Sequence, residues 1–252
     1  VFGCLSQPFT FSDPVFVSRL RPAAGGGGAP FGGLVSTNNL LAHWRMNEES
    51  GTRVDVHRAE NLTDNFTVGF AAGKLGNAAD FIPANTEFLS RANDADQIGG
   101  DTDYTITGWV RPDSTAADFM ILSMWSSSST NNSYRLNNSF GTPVFYIERN
   151  GADERSKSSS TNMVAGTAYF FAVGHSVATD ELWISMNGGA KQTASTGGAI
   201  TVTTTEQFRI GAQSGASPFY FDGWVDSVSW FREDLSITSI SNLYNLDAGR
   251  DY

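Results

Sequence analysis

The sequence predicts an all-β fold, a two-sheet antiparallel jelly-roll sandwich with an N-terminal extended arm and a short helix near the C-terminus. Three observations predict it. Short runs rich in aromatic and β-branched residues recur at 40–44, 104–110, 181–188 and 219–228. Each is bounded by Gly, Asn, Asp or Pro, the pattern of antiparallel strands joined by surface turns. At 252 residues and 40% hydrophobic content, the chain can bury one large core without dividing. Only residues 235–246 carry the spacing of a helix of any length, with Leu235, Ile240, Leu243 and Leu246 as its apolar stripe and Asp234 or Ser236 as its cap.

Residues 1–37 stand apart from the rest of the chain, and the domain proper is expected over 38–252. Phe9, Phe11, Val15, Phe16 and Val17 surround Pro14, and a run of four glycines, Gly25 to Gly28, then precludes any regular element. This segment reads either as a leader or edge strand of its own domain, or as an arm that docks on other protein subunits, since exposed phenylalanines otherwise invite aggregation. Further along, Tyr169, Phe171, Val173 and His175 alternate with Phe170, Ala172 and Gly174, so both faces of residues 167–177 are covered. That pattern marks a central strand. Residues 126–133 and 150–162 are polar loops.

Composition narrows the function. The net charge of −10 and the lack of a Lys/Arg stripe argue against nucleic acid as a partner. Cys4 is the only cysteine, which excludes an intrachain disulfide. No apolar run approaches twenty residues, so no membrane insertion is expected.

An ordered series of motifs carries a family resemblance. It runs from Leu41-Ala42-His43-Trp44-Arg45-Met46-Asn47-Glu48 through Gly73-Lys74-Leu75-Gly76-Asn77-Ala78-Ala79-Asp80-Phe81 to Tyr104-Thr105-Ile106-Thr107-Gly108-Trp109-Val110. Leu182-Trp183-Ile184-Ser185-Met186-Asn187-Gly188, Phe208-Arg209-Ile210-Gly211 and Phe221-Asp222-Gly223-Trp224-Val225-Asp226-Ser227-Val228 complete it. Residues 39–248 thereby resemble the laminin G-like jelly rolls of the concanavalin A-like lectin and glucanase superfamily. The resemblance implies the sandwich fold and leaves the role open, because fold does not fix function.

Asp226 bears most on chemistry. With period two it shares a strand face with Trp224, Val228 and Trp230, where a carboxylate must be hydrogen-bonded or coordinated. The resemblance places Asp80 and Asp226 near a structural Ca²⁺, to which Asn47 and Asp55 add oxygen donors suited to a hard cation. The other reading is that Asp80 and Asp226 accept backbone N–H bonds and tie strand ends together. Zinc is not expected, since Cys4, His43, His57 and His175 lack ligand-like spacing.

Catalysis is not expected. Related glucanases resemble one another in alternate acidic residues on one strand, and no such stretch occurs here. Asp222 and Asp226 stand about 13 Å apart on a strand, too far for either hydrolytic geometry. For a sugar site, Trp125, Tyr134 and Tyr146 flank the serine-rich loop as aromatic platforms, and Asn131 and Asn132 supply amides. Tyr134 is the preferred surface candidate, while Trp125 and Tyr146 also read as core residues. Two functions are compatible with these features: a noncatalytic structural or surface-displayed module of a large assembly, such as a viral capsid decoration or tail component at an extracellular or virion surface, or alternatively a carbohydrate-binding adhesion module whose partner is a surface glycan.

Overall fold

The computed structural model of the chain describes residues 35–97, 99–130, 132–151, 153–201, 204–245 and 248–249. The arm expected over 1–37 lies outside these except for its last three residues, of which Val35 is buried.

The first strands are β1 (Leu40–Trp44), β2 (Thr63–Asn65), β3 (Gly69–Ala72), β4 (Asn77–Phe81) and β5 (Phe88–Arg91). Then come β6 (Tyr104–Pro112), β7 (Asp118–Ser123), β8 (Tyr134–Ser139), β9 (Thr142–Glu148) and β10 (Glu154–Ser158). The last are β11 (Tyr169–Ser176), β12 (Glu181–Met186), β13 (Gln192–Ser195), β14 (Phe208–Ile210) and β15 (Gly223–Phe231), before helix α1 (Ile237–Tyr244).

They form two antiparallel sheets. One runs β13-β12-β11-β6-β15-β4-β3, with β1 also paired to β15. The other runs β10-β9-β8-β7-β14-β5-β2. The long-range order follows from the period-two patterns. On β11, Tyr169, Phe171 and Val173 enter the core between the sheets, while Phe170 and Ala172 enter a second apolar cluster. As its two-faced pattern requires, β11 sits inside the sheet, between β12 and β6. Gly108 on β6 has a packing reason: a Cβ there would come within 2.9 Å of the Phe171 ring and 3.1 Å of Val228.

The second cluster covers the outer face of the β11-containing sheet. Trp109, Phe170, Trp183, Trp224 and Phe231 pack there under Leu235, Ile240 and Leu243, with Val35 and Leu40 alongside. Of the two caps the sequence offers, Ser236 is the one used, its side chain accepting a hydrogen bond from the Ser239 N–H at 3.1 Å, so helix α1 begins at Ile237 rather than Leu235. Leu246, the last residue of the expected stripe, is outside the described residues.

Two expectations about β15 are corrected. The strand begins at Gly223, and Phe219 to Asp222 are irregular, with Phe219 at φ 48°. The face assignment also changes. Asp226 pairs with Trp109 and Ser229 with Thr107, so Ser227 and Val228 together oppose Gly108 in a β-bulge, with Ser227 at φ 49°. The extra residue inverts the alternation. Trp224 joins the outer cluster, and Val225, Val228 and Trp230 join the core.

Candidate functional site

The opposite sheet has an uncovered outer face, and its middle strands present a groove there. On β8, Tyr134 and Leu136 point into the core, leaving Arg135, Asn137 and Ser139 outward. Tyr146 of β9 stands opposite Arg135 in register. Two adjoining depressions, of about 150 Å³ and about 350 Å³, share Arg135 and Phe219 in their walls. Asp118, Phe119, Met120, Asn137, Ser139 and Tyr146 complete the smaller. The larger is lined by Trp125, the serine-rich loop, Asn132, Glu148, Glu154, Gln213 and Ser217.

Loop chemistry holds this shape. Ser126 and Ser214 form a parallel bridge, and the Ser127 N–H donates to the Ser214 carbonyl at 3.0 Å. The Ser217 N–H donates to Ser127 Oγ at 3.1 Å, and the Met120 N–H donates to the Phe219 carbonyl at 2.7 Å. The serine-rich loop and residues 213–219 are thereby fastened together, and Phe219 is held over the sheet with 42% of its surface exposed.

Charge at the groove is arranged around Arg135. Its guanidinium lies 4.3 Å from the Trp125 ring centroid and 4.2 Å from that of Tyr146, and it pairs with Glu154 at 3.2 Å. Such stacking is favourable for a planar, weakly hydrated cation. Among the described residues, the groove contains three carboxylates, Asp118, Glu148 and Glu154, and one cation.

The residues singled out for sugar binding are distributed unevenly over this site. Trp125, Asn132 and Tyr146 line it. The faces of Trp125 and Tyr146 meet Arg135, and Asn132 is engaged within the loop: its Oδ1 accepts from the Ser126 N–H at 2.6 Å and its Nδ2 donates to Glu148 at 2.9 Å. Asn131 lies outside the described residues. Tyr134 is not a surface residue, because its even-position alternation with Leu136 turns it inward. It is 0% exposed, its hydroxyl accepts from Trp230 Nε1 and donates to the Gln97 carbonyl, each at 3.1 Å, and burial pushes its phenol well above the usual range. Arg135, Asp118 and Phe219 were missed. The alternation of Arg135 and Asn137 with Tyr134 and Leu136 was the available signal.

The residues expected around calcium fall in different places. Asp226 Oδ2 accepts from the Lys74 N–H at 2.7 Å and the Leu75 N–H at 2.8 Å, and Asn47 Oδ1 accepts from the Asn77 N–H at 2.8 Å. Together they grip the Gly73 to Asn77 turn. Asp55 is remote from that turn in its bonding: its two oxygens accept from the N–H groups of His43, His57, Arg58 and Glu60 at 2.8–2.9 Å. Asp80 pairs with Trp224, and burial, followed by the nearby charge of Asp113, raises its pKa. Among the described residues, no group of three or more His, Cys, Asp or Glu is placed to hold a metal ion. Asp226, Asn47 and Asp55 thus each accept from backbone N–H groups, the first two at one turn and the third elsewhere.

The chain belongs to the concanavalin A-like lectin/glucanases superfamily, whose family model matches residues 89–241. No curated protein matches it in sequence. Among solved structures, it is similar to domain 4 of AbnA, an extracellular GH43 arabinanase from Geobacillus stearothermophilus determined in complex with arabinotriose. The TM-score is 0.63 at 14% identity, covering 84% of this chain and 98% of that one. It is also similar to the binding domain of Paraclostridial Mosquitocidal Protein 1, with TM-score 0.68, 10% identity and coverage of 83% and 52%. A third is the receptor-binding domain of botulinum neurotoxin C/D mosaic serotype, with TM-score 0.62, 11% identity and coverage of 83% and 51%. The chain thus spans nearly all of the arabinanase domain and about half of each toxin domain.

These likenesses correct the expectation of a viral capsid decoration or tail component, since the similar structures are binding domains of toxins and a domain of a glycosidase. The chain shares its fold with these domains. Among the described residues, no helix is long and apolar enough to cross a membrane.

Proposed function

We propose that the chain is an extracellular carbohydrate-binding domain whose site is the groove on the outer face of β7, β8 and β9. The observation that carries this reading is the exposed Phe219 ring, held beside hydroxyl, amide and carboxylate groups in an open depression. Sugar recognition needs that combination, an apolar plate for the ring face and fixed polar atoms for its hydroxyls. The arabinotriose complex of the similar arabinanase domain supports it, as does the extracellular setting of that enzyme. Further support comes from the likeness to a botulinum neurotoxin type C chain, about half of which this chain spans and the cell entry of which toxin depends on two ganglioside molecules.

A glycan array followed by calorimetry tests the proposal. The chain should retain at least one glycan, and Phe219→Ala should weaken that binding roughly tenfold, the loss of about one stacked ring. Its melting temperature should barely move, because the ring is largely outside the core. Retention of no glycan, or equal affinity in the variant, would remove this groove as the site.

A further inference from the structure

We infer that the groove takes a neutral, linear oligosaccharide of at least two rings, and discriminates against acidic glycans. The inference rests on the carbohydrate-binding reading above and concerns which glycan the same site admits.

The argument for neutrality starts from unpaired acceptors. Asp118 Oδ1, Asn137 Oδ1 and Gln213 Oε1 are buried and have no hydrogen-bond partner among the described residues. Asn137 is more than nine-tenths buried and lines the smaller depression with Asp118, whereas Gln213 lines the larger. The orientation of Gln213 is fixed, since its Nε2 donates to the Ser217 carbonyl at 2.8 Å. An unpaired buried acceptor is costly, and a ligand that donates to it recovers the difference. Sugar hydroxyls donate readily; a carboxylate, sulfate or phosphate brings only further lone pairs. The one cation does not reverse this preference. Arg135 is stacked between two rings and paired with Glu154, while Asp118 and Glu148 add negative charge to the lining. An anionic sugar would therefore meet net negative potential in a partly desolvated site, where like charges cost most.

The argument for chain length is geometric. Acceptors occur in both depressions, and Phe219 with Arg135 forms the wall common to them. A single ring satisfies one side only. A chain crossing that wall lays one ring toward Asp118 and Asn137 and the next toward Gln213, with Phe219 beneath the linkage.

Calorimetry with arabinotriose, xylotriose and cellotriose, the matching monosaccharides, and 3′-sialyllactose tests this on the full chain and on Asp118→Asn, Gln213→Ala and Phe219→Ala. The tightest neutral trisaccharide should bind at least about tenfold more tightly than its monosaccharide. Asp118→Asn and Gln213→Ala should each weaken it by roughly tenfold, the worth of one hydrogen bond to a charged or buried acceptor. Sialyllactose should bind at least about tenfold more weakly than the trisaccharide. Circular dichroism confirms that each variant is folded, and Asp118→Asn keeps the side-chain shape. Equal affinity for mono- and trisaccharide overturns the chain-length claim. Tighter binding of sialyllactose that is lost in Phe219→Ala overturns neutrality while leaving the groove as a sugar site. Failure to bind any of these saccharides overturns the inference, and failure on the whole glycan array removes the underlying reading as well.

Discussion

Three carboxylates show how far a single residue's role can be read from its neighbours in sequence. Asp226 had to be satisfied because it lies on a strand among large apolar side chains, and that necessity was visible. Its donors were not, since Lys74 and Leu75 are 152 and 151 residues away and only the folded turn brings them to it. Asp55 is the stronger anchor, with four backbone donors. Replacing it by Ala leaves these N–H groups without their acceptor, so Asp55→Ala should lower stability by about 3 kcal/mol or more, measured by urea unfolding. A loss under about 1 kcal/mol would show that water replaces the carboxylate at no great cost. Asp80 behaves in the opposite sense. Its pKa is raised by burial and then by Asp113, so the folded state holds its proton more tightly than the unfolded chain does. Its contribution to stability is complete below the ordinary carboxylate pKa and is lost as pH rises through the raised folded value. At neutral pH the ionised group therefore opposes folding. Asp80→Asn should raise the melting temperature near pH 7, and calorimetric scans toward about pH 3.5 should show the gap closing. A gap that is constant with pH would rule out ionisation as its cause.

Among the elements, β11 and α1 were legible because their signals are local. Two-faced apolar alternation placed β11 in the middle of a sheet, and Asp234 and Ser236 offered the caps of which the helix uses the second. β15 was half legible. Its composition identified a strand, but the inserted Ser227 carries no signature of its own, and counting by twos across it put Val228 and Trp230 on the wrong face. The same count predicts what deletion does. Without Ser227, either Val228 and Trp230 turn out of the core or Trp224 and Asp226 turn into it, and neither arrangement can be packed. Deletion of Ser227 should abolish the cooperative thermal transition, whereas Ser227→Gly, which accepts φ 49° without strain, should preserve it. A deletion variant melting like the parent would mean that the register can relax around the loss. Phe219 escaped detection for a related reason: in sequence it reads as the beginning of the closing strand, and the strand starts four residues later.

At the scale of the whole molecule, the two sheets and their shared core were readable from composition, period and motif order. The groove was not, because its walls come from separated strands and loops that meet only after folding. The metal question also belongs to this scale, since calcium was expected to pin the first strand to the last. Backbone hydrogen bonds to Asp226 and Asn47 hold the turn at residues 73–77, and Asp55 holds its own loop to β1. Thermal melts in calcium and in chelator should superimpose, and a midpoint raised by calcium would reveal an ion site that these bonds do not anticipate.

The two outer faces differ in what they can tolerate. One is sealed by α1 and the aromatic cluster beneath it, so most of its residues are constrained by one another. The other turns alternate positions of β8 and β9 toward the groove, while their neighbours along the strand belong to the core. Changes at Arg135 or Tyr146 therefore leave the core side chains between the sheets untouched. Such a molecule has a fixed mounting plate and an open working face, suited to randomisation of that face in a display library.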